Sequence, residues 1–368
     1  MTEREALIAL NMLPRIGPIR VGRLMQRFGS ASSILGAPRS KLEQAQGVGK
    51  DLAKILQHWE DHADLSAELS QISDRGLTLL TPQDEQWPTP LRELPDAPLV
   101  LYVWGEITSA DNHAIAVVGS RRTTNYGRSC AQKLSFQIAG AGYTVISGLA
   151  RGIDSAAHEG AVAAKGRTIA VLGSGLAQVY PAENMPLAEL IADGHGAVVS
   201  EFPLNTAPDQ QTFPQRNRIV AGWCSGLLVV ECPTRSGALI TANLAGDYGR
   251  QVYAVPGPID RPASDGCNAL IRQGATLITD GTQILDDLSL LPLSPNPQAP
   301  PTPEPLPAPE LSDTESGLLS HLDTEERQID EIIDSSGLPA AQVSATLLQL
   351  EMKQLVKQLP GSYFVRVS

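Results

Sequence analysis

Between residues 111 and 288 the apolar positions of this chain fall in short unbroken runs that recur at regular intervals. The runs are AIAVVG (114–119), YTVIS (143–147), TIAVLG (168–173), AVVSEF (197–202), GLLVVEC (226–232), QVYAVPG (251–257) and TLIT (276–279). Stretches of helical character lie between most of them, for example GRSCAQKLSFQIAGAG (127–142) and GALITANLAGDYG (237–249). An unbroken apolar strand is covered on both faces. Strands of this kind alternating with helices predict an α/β fold with an extended, Rossmann-like parallel sheet. In such a sheet the ligand sits beyond the carboxyl ends of the strands.

The flanks follow other patterns. Residues 1–75 read as a helical domain in which LPRIGPIRVGRLMQRFGS (13–30) and AQGVGKDLAKILQHW (45–59) share one layout. Each has a Gly-Pro or Gly-x-Gly turn followed by an amphipathic helix carrying Arg or Lys, which resembles paired helix-hairpin-helix (SAM-like) units. The layout fits a small bundle whose turns need glycine, and equally helix starts that offer N–H groups to a phosphate. Residues 80–290 carry the sheet. Nine of the twenty residues 291–310 are proline, which predicts an extended spacer. Residues 311–368 read as helices closing on a strand pair around LPGSYFVRVS (359–368), the order of a winged-helix-like domain.

Charge and cysteine content narrow the function. The net charge is −12, but residues 111–280 are neutral and the excess acid lies in the linkers and the tail. Cys130, Cys224, Cys232 and Cys267 are scattered without a C-x-x-C pair, which argues against a zinc site or disulfide framework and fits a reducing cytosol. The start MTEREALIAL lacks the pattern of a signal peptide, and no stretch approaches the roughly 20 apolar residues of a membrane span. A cytoplasmic protein without membrane contact is expected.

The chemistry gathers after the strands. The first run leads into Gly119, Ser120, Arg121 and Arg122, and the second into GLARGID (148–154) with Arg151 and Asp154. GSGLAQVYP (173–181) follows the third, a segment with Arg216, Asn217 and Arg218 the fourth, and PTRSGALITA (233–242) with Arg235, Ser236 and Gly237 the fifth. Several Gly- or Ser-bearing loops opening onto helices, most with arginine, predict an anionic ligand larger than one phosphate. The planar arginine fork suits phosphate and can stack on a base. A G-x-G-x-x-G turn and a G-x-x-x-x-G-K-[ST] loop are both missing, which excludes a dinucleotide dehydrogenase and a P-loop NTPase.

VVGSRRTTNYG, SGLARGIDSAAH, VLGSGLAQVYPAEN, SEFP, FPQRNRIVAG and RSGALITANLAGDYGRQVYAVPG, in this order, resemble the DNA processing protein A (DprA/Smf) family. The resemblance implies an extended Rossmann fold that binds single-stranded DNA, protects incoming strands and helps load the RecA recombinase in natural transformation. It implies a homodimer, with no catalytic chemistry, cofactor or metal. The family's Gly-Ser-Arg motif falls on Gly119, Ser120 and Arg121, with Arg121 the foremost DNA contact. Its Arg-Asn-Arg motif falls on Arg216, Asn217 and Arg218, expected on the same rim. Arg151, Ser236 and Gly237 complete the expected DNA-binding set. One departure is that Asn184 is followed by Met185 and Pro186 where family members often carry a basic residue.

Blander roles are expected for other positions. Arg122 reads as a solvated neighbour, and one of Arg216 and Arg218 as paired within the protein. Asp154 and His158 share a helix face without a third ligand, so a local structural role is expected. Glu231 should balance a nearby arginine, and Trp223 should be a buried aromatic. The competing enzyme is a nucleotide phosphoribohydrolase, but TRSGALITANLAGD (234–247) lacks a second glycine pair and any acid before Asp247. The sequence shows little aromatic interleaving at these loops, so affinity should rest on backbone charge. The tail helix AAQVSATLLQLE (340–351) has no base before Lys353, which argues against a DNA-reading role.

Overall fold

The apolar runs become strands of one nine-stranded sheet. The structure is a computed structural model describing residues 1–290, 312–322, 327–353, 355–359 and 363–366. The proline-rich spacer expected over 291–310 lies outside the described residues. The chain divides into two units, Met1–Pro300 and Pro301–Ser368.

In the first unit the strands are β1 (Thr78–Leu80), β2 (Leu101–Gly105), β3 (Ala114–Val118), β4 (Thr144–Ser147), β5 (Thr168–Val171), β6 (Gly196–Ser200), β7 (Gly226–Val229), β8 (Gln251–Ala254) and β9 (Thr276–Leu277). Their order is β1-β2-β6-β5-β4-β3-β7-β8-β9. All pairs from β6 to β9 are parallel, and β2 and β1 extend the β6 edge by antiparallel pairing. The chain winds from β3 outward through β4, β5 and β6, then returns to place β7 on the other flank of β3. That reversal opens a crevice beyond the carboxyl ends of β3 and β7, where a doubly wound sheet binds its ligand.

Both faces of the sheet are covered, which is why its central strands are apolar along most of their length, with buried Thr144, Ser147, Thr168 and Ser200 confined to strand ends. Ile115, Val117, Val145 and Leu228 pack with Leu134, Ile138 and Ala157 from the helices Asn125–Gly140 and Ile153–Ala163. Ala116, Val118, Ile146, Leu227 and Val229 pack on the opposite face with Val220, Trp223 and Ala242, from the helices Thr212–Trp223 and Gly237–Asp247. The N-terminal helices are seated on the β6 side of the sheet. Leu7, Leu10, Val21, Leu24 and Ile34 form one continuous core with Tyr102, Leu172 and Val198. The first helix, Glu3–Met12, starts in a capping box in which Thr2 accepts from the Glu5 N–H and its own N–H donates to the Glu5 carboxylate.

The second unit contains the helices Asp313–Leu319, Ile329–Ser336 and Ala340–Met352, with β10 (Arg327–Gln328), β11 (Val356–Leu359) and β12 (Tyr363–Arg366) in the order β10-β12-β11. Leu318, Ile332, Val343, Leu347, Val356 and Phe364 form its core.

At the amino ends of the strands, one buried carboxylate holds the layers in register. Asp111 accepts from the Thr108 N–H (2.8 Å), the Thr144 hydroxyl (2.8 Å), and Nε (2.9 Å) and Nη2 (2.8 Å) of Arg167. Its carbonyl accepts the Trp223 indole N–H at 2.8 Å. The starts of β3, β4 and β5 and the end of a covering helix thus converge on one residue. Removing the carboxylate leaves the buried Thr144 hydroxyl and the partly buried Arg167 without their acceptor, so Asp111→Ala is expected to cost about 3 kcal/mol. Urea denaturation checks this, and a loss under about 1 kcal/mol would show that the clasp does not hold the register.

Candidate nucleic-acid interface

Three loops meet in the crevice, and their backbones are tied to one another. The Ser120 N–H donates to the Glu231 carbonyl (2.7 Å), and the Ile153 N–H to the Ser120 carbonyl (3.2 Å). Gly119 has no room for a side chain, since a Cβ would stand 2.5 Å from Ile153 and 2.8 Å from the Glu231 carbonyl. Gly152, at φ +81°, would place a Cβ 2.3 Å from the Ser120 carbonyl. Beneath these contacts the Glu231 carboxylate, 3 % exposed, accepts from the Thr123 hydroxyl (2.7 Å), the Thr124 N–H (2.8 Å) and the Thr124 hydroxyl (2.7 Å). The expected arginine partner of Glu231 is therefore corrected. Two threonines and the N-terminus of helix Asn125–Gly140 supply the donors instead.

The loops enclose an open cleft of about 680 Å³. Arg121, Arg122 and Arg235 stand exposed at its edge and form no ion pair among the described residues. Arg122 also exchanges backbone hydrogen bonds with the Ser120 hydroxyl. Arg121 lies over the Phe213 ring, its Cζ 4.9 Å from the ring centroid, a cation–π contact that holds the guanidinium in place. Ser236 caps helix Gly237–Asp247 by accepting from the Ala238 N–H at 3.2 Å, and Gly237 and half-buried Asn217 also line the cleft. Ile240, Pro262 and Ala263 add apolar surface to its lining.

The remaining arginines do not stand free on the rim as expected, while the expectation that one of Arg216 and Arg218 pairs within the protein holds for Arg218. Arg216 is 4 % exposed and forms part of the cleft floor rather than its rim. It donates to the Gly148 carbonyl (2.6 Å), the Val171 carbonyl and the Asn217 side chain (3.1 Å). Burial lowers this guanidinium to about 10, opposed by the charge of Asp154. Burial likewise raises Asp154, opposed by Arg216 and by the Ala150 and Gly148 N–H groups it accepts from. Arg218 leaves the cleft altogether. Two residues on a helix are separated by about 200°, so Arg218 points away from Arg216. It pairs with Glu201 and lies 3.7 Å from Asp96, lining a separate cavity with Asn11 and Arg15. Arg151 is exposed but held by Glu183 through two bonds of 2.6 Å. The Gly173–Gly175 loop does not line the cleft. A Cβ on Gly175 would meet the Pro203 and Leu204 carbonyls at 2.2 Å, so that glycine serves packing.

Aromatic groups are present where little interleaving was expected. Phe213 stands under Arg121, and its ring centroid is 5.8 Å from that of Tyr180, which is 41 % exposed. The available signal was position, because Phe213 lies three residues before Arg216 on one helix and shares its face. Trp223 is buried, as its sequence context indicated. Asp154 and His158 do not act together: Asp154 binds loop amides, whereas His158 is fully buried and contacts Thr168 at 2.7 Å. Among the described residues, no group of three His, Cys, Asp or Glu side chains is placed to hold a metal, and no helix is long and apolar enough to cross a membrane.

A family model described as DNA recombination-mediator protein A matches residues 78–289, and one described as the DprA winged helix domain matches residues 300–362. The chain belongs to the DNA recombination-mediator protein A (DprA) family. It is 33 % identical to Protein Smf of Synechocystis over 99 % of each chain. The X-ray structure of DprA from Streptococcus pneumoniae superposes with a TM-score of 0.68 at 31 % identity, covering 78 % of this chain and 98 % of that one. DprA from Helicobacter pylori, whose structure concerns its single-stranded DNA binding mode, gives 0.52 at 28 % identity, covering 58 % and 95 %. In this DprA chain the fold accords with the sequence expectation: a large, mostly parallel sheet, a helical N-terminus and a C-terminal winged-helix domain.

His158 gives the DprA fold a pH-dependent element. The Thr168 hydroxyl donates to the Val145 carbonyl (2.8 Å), so His158 Nδ1 carries the proton of its bond to that hydroxyl. Burial, with a smaller contribution from Arg216, lowers its pKa to about 3. The unfolded chain therefore binds a proton between pH 6.5 and about 3 that the folded chain does not, and stability falls as pH drops through that window. The expected slope is about 1.4 kcal/mol per pH unit. Between pH 7 and pH 5 the stability difference between wild type and His158→Gln should narrow by about 2 kcal/mol. Urea midpoints at both pH values measure this, and parallel profiles would refute it.

Proposed function

We propose that the cleft beyond β3 and β7 binds single-stranded DNA without sequence preference and without catalytic chemistry. The observation that carries this reading is Arg121, a cation with no carboxylate partner among the described residues, held over Phe213 at the topological switch point. A phosphate would meet the exposed guanidinium and a base would meet the neighbouring aromatic and apolar surface, which is how single strands are held without base reading. The DprA relative from Helicobacter pylori, with its single-stranded DNA binding mode, supports the same reading. Family membership extends it: the chain protects incoming strands and helps load the RecA recombinase in natural transformation, as a cytoplasmic homodimer. The phosphoribohydrolase alternative needs a carboxylate facing the ligand. The carboxylates beside the cleft, Asp154 and Glu231, are buried and already bonded to backbone amides and threonines.

Titrating labelled oligo(dT) and a duplex of equal length over a salt series tests the proposal. Two or three phosphates neutralised per protomer give a slope of log K against log salt of about −1.4 to −2. Arg121→Ala should weaken binding at least about tenfold and flatten the slope by about 0.7, whereas Arg122→Ala, which lacks an aromatic platform, should do much less. Phe213→Leu should weaken binding up to about tenfold and flatten the slope by less than Arg121→Ala does, because the charge remains but loses its platform. Equal losses from Arg121→Ala and Arg122→Ala, or an unaltered slope in both, would overturn the reading.

The winged-helix unit is proposed to contact protein rather than DNA. Its helix Ala340–Met352 contains no Lys or Arg, and residues 311–368 carry a net charge of −5. A chain ending at residue 300 should keep oligo(dT) affinity within a few-fold, and a loss beyond about tenfold in a folded truncation would refute the assignment.

A further inference from the structure

A second basic hollow adjoins the cleft. It is a shallow depression of about 320 Å³ lined by Arg121, Arg122, Arg128 and Arg151, the first two shared with the cleft. Two carboxylates also line it. Glu159 accepts from the Gln132 amide at 2.9 Å. Glu183 accepts Nε and Nη2 of Arg151, one on each oxygen, at 2.6 Å each. Two parallel N–H···O bonds are also how a guanidinium grips two oxygens of a phosphate. The pair is open to solvent, with side chains 55 % and 56 % exposed, so its hold is screened and contributes little net stability. The turn carrying Glu183 is anchored without it, because Asn184 donates to the Leu149 carbonyl and the Ser155 hydroxyl at 2.8 Å each.

We propose that this depression is a second phosphate station for the strand held in the cleft, and that Glu183 occupies Arg151 there as an internal stand-in for the phosphate. The inference rests on the single-stranded DNA reading of the cleft. A phosphodiester chain passing Arg121 reaches Arg151 next, but takes it only by releasing Glu183. The freed carboxylate then draws a cation from solution and offsets the one the phosphate sheds. Arg151 therefore adds little to affinity in the native chain, and Glu183 sets how tightly the strand is held.

The test is oligo(dT) binding over a salt series by wild type, Glu183→Gln, Arg151→Ala and the double variant, with thermal midpoints as a check on folding. Glu183→Gln should tighten binding about five- to tenfold at low salt and steepen the slope by about 0.7, one further phosphate. Adding Arg151→Ala should abolish that gain, and Arg151→Ala alone should change affinity less than about threefold. Glu159→Gln makes the same charge change in the same depression and should gain less than about twofold. An unchanged or weaker Glu183→Gln, a gain that survives in the double variant, or an equal gain from Glu159→Gln would overturn the station. If Arg121→Ala still costs tenfold in those cases, the cleft reading stands. If Arg121→Ala is also without effect, both fail.

Discussion

The buried carboxylate of Glu231 is the constraint on which the site depends. It closes the β7 end against the β3 loop by accepting two threonine hydroxyls and a backbone N–H, while its own carbonyl takes the Ser120 N–H. Its buried oxygens are met by three donors, so no acceptor is left unpaired beneath the loop. It also fixes the backbone from which Arg121 projects. The arginines of this loop are free to meet a ligand because the charge beneath them is satisfied by threonine.

Arg216 plays the complementary part from below. A buried guanidinium is tolerated only when its donors are met and an opposite charge lies near. Here the donors go to carbonyls at the ends of β4 and β5, and the counter-charge is Asp154. The cation braces two strand ends and stands in the floor of the cleft. It is positioned by the fold rather than by a mobile surface chain.

Architecture was legible where periodicity carries it. Unbroken runs such as AIAVVG, short and alternating with helical stretches, point to strands covered on both faces, and the crevice follows from the fold class. Ser120, Arg121, Arg235 and Ser236 were legible because a strand followed by Gly or Ser and a helix constrains the loop to the carboxyl edge. Arg216 and Arg218 were not separable, since a tripeptide motif does not show its helical phase against the sheet. Phe213 was overlooked because a lone aromatic before an arginine motif reads as core. The pairing of Arg151 with Glu183 joins segments 32 residues apart and leaves no local signature.

The free arginines of the cleft belong to a chain of net charge −12, which has a kinetic consequence. Field strength depends on range. At ionic strengths near 0.1 M the screening length is about 10 Å, so an approaching polyanion responds to the few cations nearest to it and not to the molecule's monopole. Near 0.01 M that length grows to about 30 Å, and the whole negative envelope opposes approach before the cleft can attract. For a strand entering the cleft as proposed, encounter is fastest at an intermediate ionic strength, whereas a uniformly basic binder speeds up continuously on dilution.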